Sequence, residues 1–117
     1  MNIIGIGTDI IEISRISAAM EKPGFLKKLY TCAEQEYINS KADRDQTAAG
    51  IFAAKEAAAK AMGTGFGKIS PTDIEILHDK NGAPYARISK APEVTILVSV
   101  SHCREYATAN AAAFKEN

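Results

Sequence analysis

Residues 51–67 read IFAAKEAAAKAMGTGFG, an alanine-rich run that closes on Gly63, Gly65 and Gly67. Alanine is the best helix former and its small side chain lets a helix lie close to its neighbours. Asp43 supplies an N-cap, with Gln46 three residues on as in a capping box, so the spacing predicts a helix from there to about Met62. Gly63 stands where a helix wants a left-handed terminal residue. Phe52, Glu56 and Lys60 recur at i, i+4 and i+8 and share one face of this helix. On its own, a Glu56–Lys60 pair reads as an exposed ion pair contributing roughly 0.2–0.5 kcal/mol. Lys55, Glu56 and Lys60 nevertheless interrupt a segment otherwise suited to burial.

Working outward, Ile3–Ile13 begins as an apolar run rich in β-branched residues, punctuated by Gly5 and Gly7, and then reaches Thr8-Asp9, which reads as a buried strand. Asp9 there either turns the chain through its own backbone or is presented as a ligand. Ile13, Ile16, Ala19 and Met20 have helical spacing, and Pro23-Gly24 breaks the chain before FLKKLY. Thr31 and Glu34 form a capping-box pattern that opens a short helix to about Asn39. Beyond the glycines, Ile74 and Ile76 alternate with charged residues as in a strand. Asn81-Gly82 then signals a hairpin, with Ala83–Ile88 returning and Pro84 near its start or edge. Val94–His102 reads as a central strand. Glu105–Phe114 is helical by its alanine content and a strand by its position, and we assign it as strand. The order β-α-α-α-β-β-β-β defines an α+β domain over residues 1–117, with helices covering one side of a mostly antiparallel sheet.

The 117 residues suit one domain with one modest core. Fourteen basic residues balance 14 acidic ones, so no global field favours nucleic acid or a membrane surface, and anion recognition has to be local. The apolar N-terminus is short, lacks a basic leader and carries Asp9 and Glu12, unlike a signal peptide or membrane span. Cys32 and Cys103 make no metal-ligand pattern and fit free thiols in the cytoplasm, with a disulfide between them as the alternative.

Three polar signals interrupt apolar elements: Asp9, the Glu56/Lys60 pair, and His102. Two carboxylates without an ordered Cys/His set point to a hard cation such as Mg²⁺, with substrate phosphates completing its shell. A glycine-rich turn with free amides beside a lysine suits those phosphates. GTGFG lacks the GK[ST] of a P-loop. His78, before Asp79-Lys80, reads as a surface residue at a strand end and is assigned no role.

GIGTDIIEISRI, FAAKEAAAKAMGTGFG, DIEIL-x-x-x-NGAPY and VSVSHCREYATA, in this order over nearly the whole chain, resemble the holo-acyl-carrier-protein synthase family of small bacterial-type 4′-phosphopantetheinyl transferases. The resemblance implies that the domain has the phosphopantetheinyl transferase fold. It implies Asp9 and Glu56 as Mg²⁺ ligands and Lys60 beside the phosphates, with Glu56 and Lys60 in catalysis. It sets Gly63, Thr64 and Gly65 around the coenzyme A diphosphate, and Asn81, Gly82 and Pro84 near the adenine and ribose. Ser101 and His102 fall near the 3′-phosphate. Arg15, with the basic residues Lys22, Lys27 and Lys28, faces an acidic carrier protein. The implied reaction moves the phosphopantetheine arm of coenzyme A to a serine of apo acyl carrier protein, releasing 3′,5′-ADP, in fatty acid biosynthesis. A homotrimer with sites between subunits is implied as well. Two positions depart from the pattern. Ile51 stands where arginine is common, so a phosphate or partner contact has to come from elsewhere, and Cys103 follows His102 where a polar residue is usual. The alternative is a non-catalytic module that binds coenzyme A or a nucleotide.

Overall fold

The computed structural model describes residues 1–63 and 68–116. Thr64 and Gly65, expected around a diphosphate, lie outside the described residues.

Strand β1 (Asn2–Glu12) leads into helices α1 (Ile13–Met20), α2 (Phe25–Leu29), α3 (Cys32–Asn39) and α4 (Arg44–Ala61). A 3₁₀ turn at Pro71–Asp73 precedes β2 (Ile74–His78), β3 (Pro84–Ile88), β4 (Thr95–His102) and β5 (Tyr106–Lys115). The five strands form one sheet in the order β1-β5-β4-β3-β2, antiparallel throughout. The expected α+β architecture stands, with one helix more than the sequence pattern indicated. That helix, α2, starts after Gly24, whose φ of 83° only glycine adopts freely.

Both expected caps form. Thr31 and Glu34 bond reciprocally at the start of α3, and the Asp43 carboxylate accepts the Gln46 N–H at the start of α4. The hairpin forms too, but Asp79 organises it. The Asp79 carboxylate accepts the N–H groups of Asn81 and Ala83, and Gly82 takes φ 86°. The turn therefore spans residues 79–83, and His78 pairs with Pro84 across its base.

Helix α4 lies across the inner face of the sheet. Its Ala53, Ala54, Ala57, Ala58 and Ala61 are fully buried, as are Ala107, Ala109 and Ala113 of β5. This explains why the alanine-rich C-terminal segment is a strand. It lies between β1 and β4, and small side chains are what fit beneath a closely packed helix. Cross-strand register divides the faces. Gly7–Ala111–Val98 and Asp9–Ala109–Val100 run across the inner face, and Ile6–Ala112–Leu97–Tyr85 and Ile10–Thr108–Ser101 run across the outer. Ile6 is 79% exposed and Leu97 58%, so the outer face is an uncovered apolar surface.

One buried polar network ties the helices to the sheet. Lys55 of α4 and Glu34 of α3 form an ion pair, 1% and 0% exposed. The second oxygen of Glu34 accepts the Ile76 N–H of β2 at 2.7 Å. The Tyr30 ring lies beside the ammonium, and its hydroxyl donates to the Ala48 carbonyl. Burial, and secondarily the Glu34 charge, raise the proton affinity of that phenol well beyond the usual range. Lys55, unexplained by the alanine pattern, is thus a structural cation. Burial lowers its proton affinity and Glu34 opposes that shift.

Candidate active site

Alternation along β1 places Gly5, Gly7, Asp9 and Ile11 on the inner side. The two glycines let β1 approach α4 backbone to backbone at Ala57 and Ala61. That approach carries Asp9 to the C-terminal half of α4. There the Lys60 ammonium donates to the Thr8 carbonyl at 2.9 Å and meets the Asp9 carboxylate at 3.4 Å. Lys60 thus pairs across to β1 and not along its own helix with Glu56. The Lys60 side chain is 51% exposed and that of Asp9 17%, so the ammonium remains open to a further anion.

Glu56 completes the group. Its proton affinity is raised, first by burial, then by the charge of Asp9, while Lys60 works in the opposite direction. Two carboxylates close enough for the charge of Asp9 to favour protonation of Glu56, with oxygen donors only, fit a hard divalent cation. Among the described residues no third His, Cys, Asp or Glu joins them. The protein would supply two ligands, leaving the other positions to water and substrate oxygens.

A second feature lies toward the opposite edge of the sheet. A cavity of about 230 Å³ opens between the N-terminal half of α4 and the ends of β2, β3 and β4. Gln46, Thr47, His78, Gly82, Pro84 and His102 line it, over an apolar floor that includes Ile51. Two segments far apart in sequence, 81–84 and 101–102, thus meet at one cavity. They do so through Gly82, Pro84 and His102 alone. Ser101 points to the outer face beside Thr108, because adjacent residues on a strand face opposite sides. Asn81 is exposed at the turn tip. His78 is not the isolated surface residue expected from sequence: its ring is half-buried and stacks on Tyr37 at 3.9 Å and 4°. The signal is the pairing of two rings 41 residues apart in sequence, which no local pattern carries. Arg15 on α1 and Lys28 on α2 are exposed, and Gly63 ends α4 with φ 82°.

A chain of this fold has known counterparts. The pattern of the 4′-phosphopantetheinyl transferase superfamily matches residues 5–111, and the chain belongs to that family. Among its relatives, the holo-[acyl-carrier-protein] synthase of Fusobacterium nucleatum is 50% identical over 93% of this chain and 97% of its own. The crystal structure of a holo-(acyl-carrier-protein) synthase from Bacillus anthracis in complex with CoA (3′,5′-ADP) superposes with a TM-score of 0.89. It is 36% identical and covers 99% of this chain and 100% of that one. The Helicobacter pylori holo-[acyl-carrier-protein] synthase in complex with coenzyme A gives a TM-score of 0.83 at 32% identity, over 93% of this chain and 99% of that one.

Proposed function

We propose that this enzyme transfers the 4′-phosphopantetheine arm of coenzyme A to a serine hydroxyl of apo acyl carrier protein, releasing 3′,5′-ADP, as a step of fatty acid biosynthesis. The observation that carries this reading is the Asp9–Lys60–Glu56 cluster, formed by a strand and a helix in a chain of this family. The serine oxygen forms a new bond to the phosphorus next to pantetheine, and the bond from that phosphorus to the leaving 3′,5′-ADP breaks.

Asp9 and Glu56 are the residues that would hold Mg²⁺, which when bound neutralises the diphosphate. Lys60, anchored at Thr8 and open on its other side, stabilises charge growing on the leaving group. Glu56 is the acceptor for the serine proton. Gly63, Thr64 and Gly65 are the residues we assign to the diphosphate. The cavity is smaller than the roughly 300–1,000 Å³ that encloses a whole ligand. It suits the nucleotide end of the coenzyme, bordered by the 81–84 turn and His102.

Arg15 and Lys28 receive the acidic carrier, since exposed cations on adjoining helices steer encounter with an anionic partner. The uncovered outer face of the sheet supports assembly of copies into a homotrimer with sites between subunits. In such an assembly Ser101 of one copy could be offered to the site of another. The exposed free thiols Cys32 and Cys103 suit the cytoplasm, and no described helix is long and apolar enough to cross a membrane. The test is mass spectrometry of apo acyl carrier protein incubated with the enzyme, coenzyme A and Mg²⁺. Gain of one phosphopantetheine arm, abolished by EDTA, is expected. No gain across several carrier proteins would leave a module that binds coenzyme A without using it.

A further inference from the structure

His78 belongs to none of the motifs that carry the transferase reading, yet it lines the cavity together with His102. Its ring is fixed face to face on Tyr37 at 3.9 Å, and the Lys41 ammonium lies 4.8 Å from the centre of the same Tyr37 ring. Two imidazoles therefore border the space, Gln46 adds an amide, the Thr47 hydroxyl is turned to the Asp43 carbonyl, and among the described residues no carboxylate lines it. Asp79, the nearest acid in sequence, turns one carboxylate oxygen to the N–H groups of Asn81 and Ala83 and does not line the cavity. The floor supplies no cation either, because Ile51 is 3% exposed and apolar. Hydrogen-bond donors over an apolar base, with a lysine beside them, form a receptor for an anion with several acceptor oxygens.

We propose that His78 is a specificity-determining residue which, with His102, donates to the phosphate monoester on the coenzyme's nucleotide and so selects the 3′-phosphorylated coenzyme over its dephosphorylated form. The proposal rests on coenzyme A being the substrate. The Tyr37 ring holds the imidazole in one orientation before the ligand arrives, which lowers the ordering cost of binding. Lys41 adds positive potential without a direct contact. A neutral imidazole still offers one N–H to a phosphate oxygen, and the dianion favours uptake of a second proton.

The test compares transfer from coenzyme A and from 3′-dephospho-coenzyme A by wild type and His78→Gln. The variant is expected to lose about tenfold in kcat/KM with coenzyme A, the scale of one hydrogen bond to a charged group. It is expected to keep wild-type kcat/KM with the dephospho form, which also shows that it folds. Equal losses on both substrates would make His78 a structural or base-stacking residue and overturn the proposal, as would no loss on either. If wild type transfers nothing from either coenzyme, the transferase reading fails separately. Calorimetry with 3′,5′-ADP and 5′-AMP then decides the point: His78→Gln must weaken the former about tenfold and leave the latter unchanged.

Discussion

A Cβ atom placed on Gly7 of β1 would stand 2.0 Å from the carbonyl oxygen of Ala57 in α4. The contact is backbone against backbone, so no side chain can swing away to relieve it. Closeness at Gly7 also determines how Asp9, two residues on along the same face, reaches Lys60 and Glu56.

Gly7→Ala is therefore expected to push β1 off the helix, at a cost of about 1–3 kcal/mol or more. Activity should fall further than stability accounts for, because a displacement near 1 Å between reacting groups can cost on the order of 10²-fold. Urea unfolding and steady-state kinetics at a temperature where the variant is folded check both. Wild-type kcat would show that Gly7 does not set the site.

Glu56→Gln separates stability from function. A carboxyl whose proton affinity is raised by folding holds its proton more tightly in the folded than in the unfolded chain. As pH rises above the ordinary carboxylate value of about 4.5, the unfolded state ionises first, and the folded state loses stability. In metal-free protein at pH 7–8, Glu56→Gln is thus expected to melt at or above the wild-type temperature, with the advantage gone near pH 4. Turnover should fall on the order of 10²–10³-fold. Mg²⁺ should raise the Tm of wild type and not of the variant. A variant that is less stable at neutral pH yet active would contradict both roles of Glu56.

The pairing of Glu34 with Lys55 gives a prediction in the core. Glu34→Ala leaves the Lys55 ammonium buried without its carboxylate and frees the N–H groups of Thr31 and Ile76. The expected cost is about 3–5 kcal/mol. Adding Lys55→Met should recover a large part of it, since the uncompensated charge is then gone. A double-mutant cycle by denaturant unfolding measures this, and strict additivity would show that the two groups are not coupled.

What was legible in the sequence was local or periodic. Thr31–Glu34 and Asp43–Gln46 are three residues apart and both N-caps form, the first as a full capping box and the second through the Asp43 carboxylate alone. The alanine face of α4 and the strand character of β2 and β4 follow from apolar spacing alone. The segment Glu105–Phe114 could be decided only by its neighbours, β1 and β4, because alanine fits helix and buried strand alike. The Glu34–Lys55 pair escaped because its partners are 21 residues apart and the capping box already accounted for Glu34. Helix α2 escaped because Lys27 and Lys28 break up a five-residue apolar pattern. The opposite orientations of Ser101 and His102 were available from the period of two along β4. The close approach of Asp9 to α4 was not, since it depends on where Gly7 meets Ala57.

Arg15→Glu and Lys28→Glu should act on the encounter with the carrier and not on the chemistry. Both side chains are exposed, so folding is expected to be nearly unaffected. KM for carrier protein should rise about tenfold with Arg15→Glu, with KM for coenzyme A unchanged, and added salt should shrink the difference. An unchanged KM for carrier would remove Arg15 from the interface.

The outer sheet face provides the last test. Ile6, Ile10, Leu97 and Tyr85 are exposed there, in rows that run strand to strand through Ala112 and Thr108. An apolar surface of this kind on a single copy favours burial by association. Light scattering on the wild type at micromolar concentration is expected to give three times the chain mass. Leu97→Glu sets a carboxylate in the middle of the Ile6–Ala112–Leu97–Tyr85 row. Because Leu97 points away from α4, the change should dissociate the assembly without emptying the core. Turnover should fall with the trimer if each site draws on two copies. A wild type that stays monomeric would show that the outer face does not join copies, and an active Leu97→Glu monomer would confine the whole site to one chain.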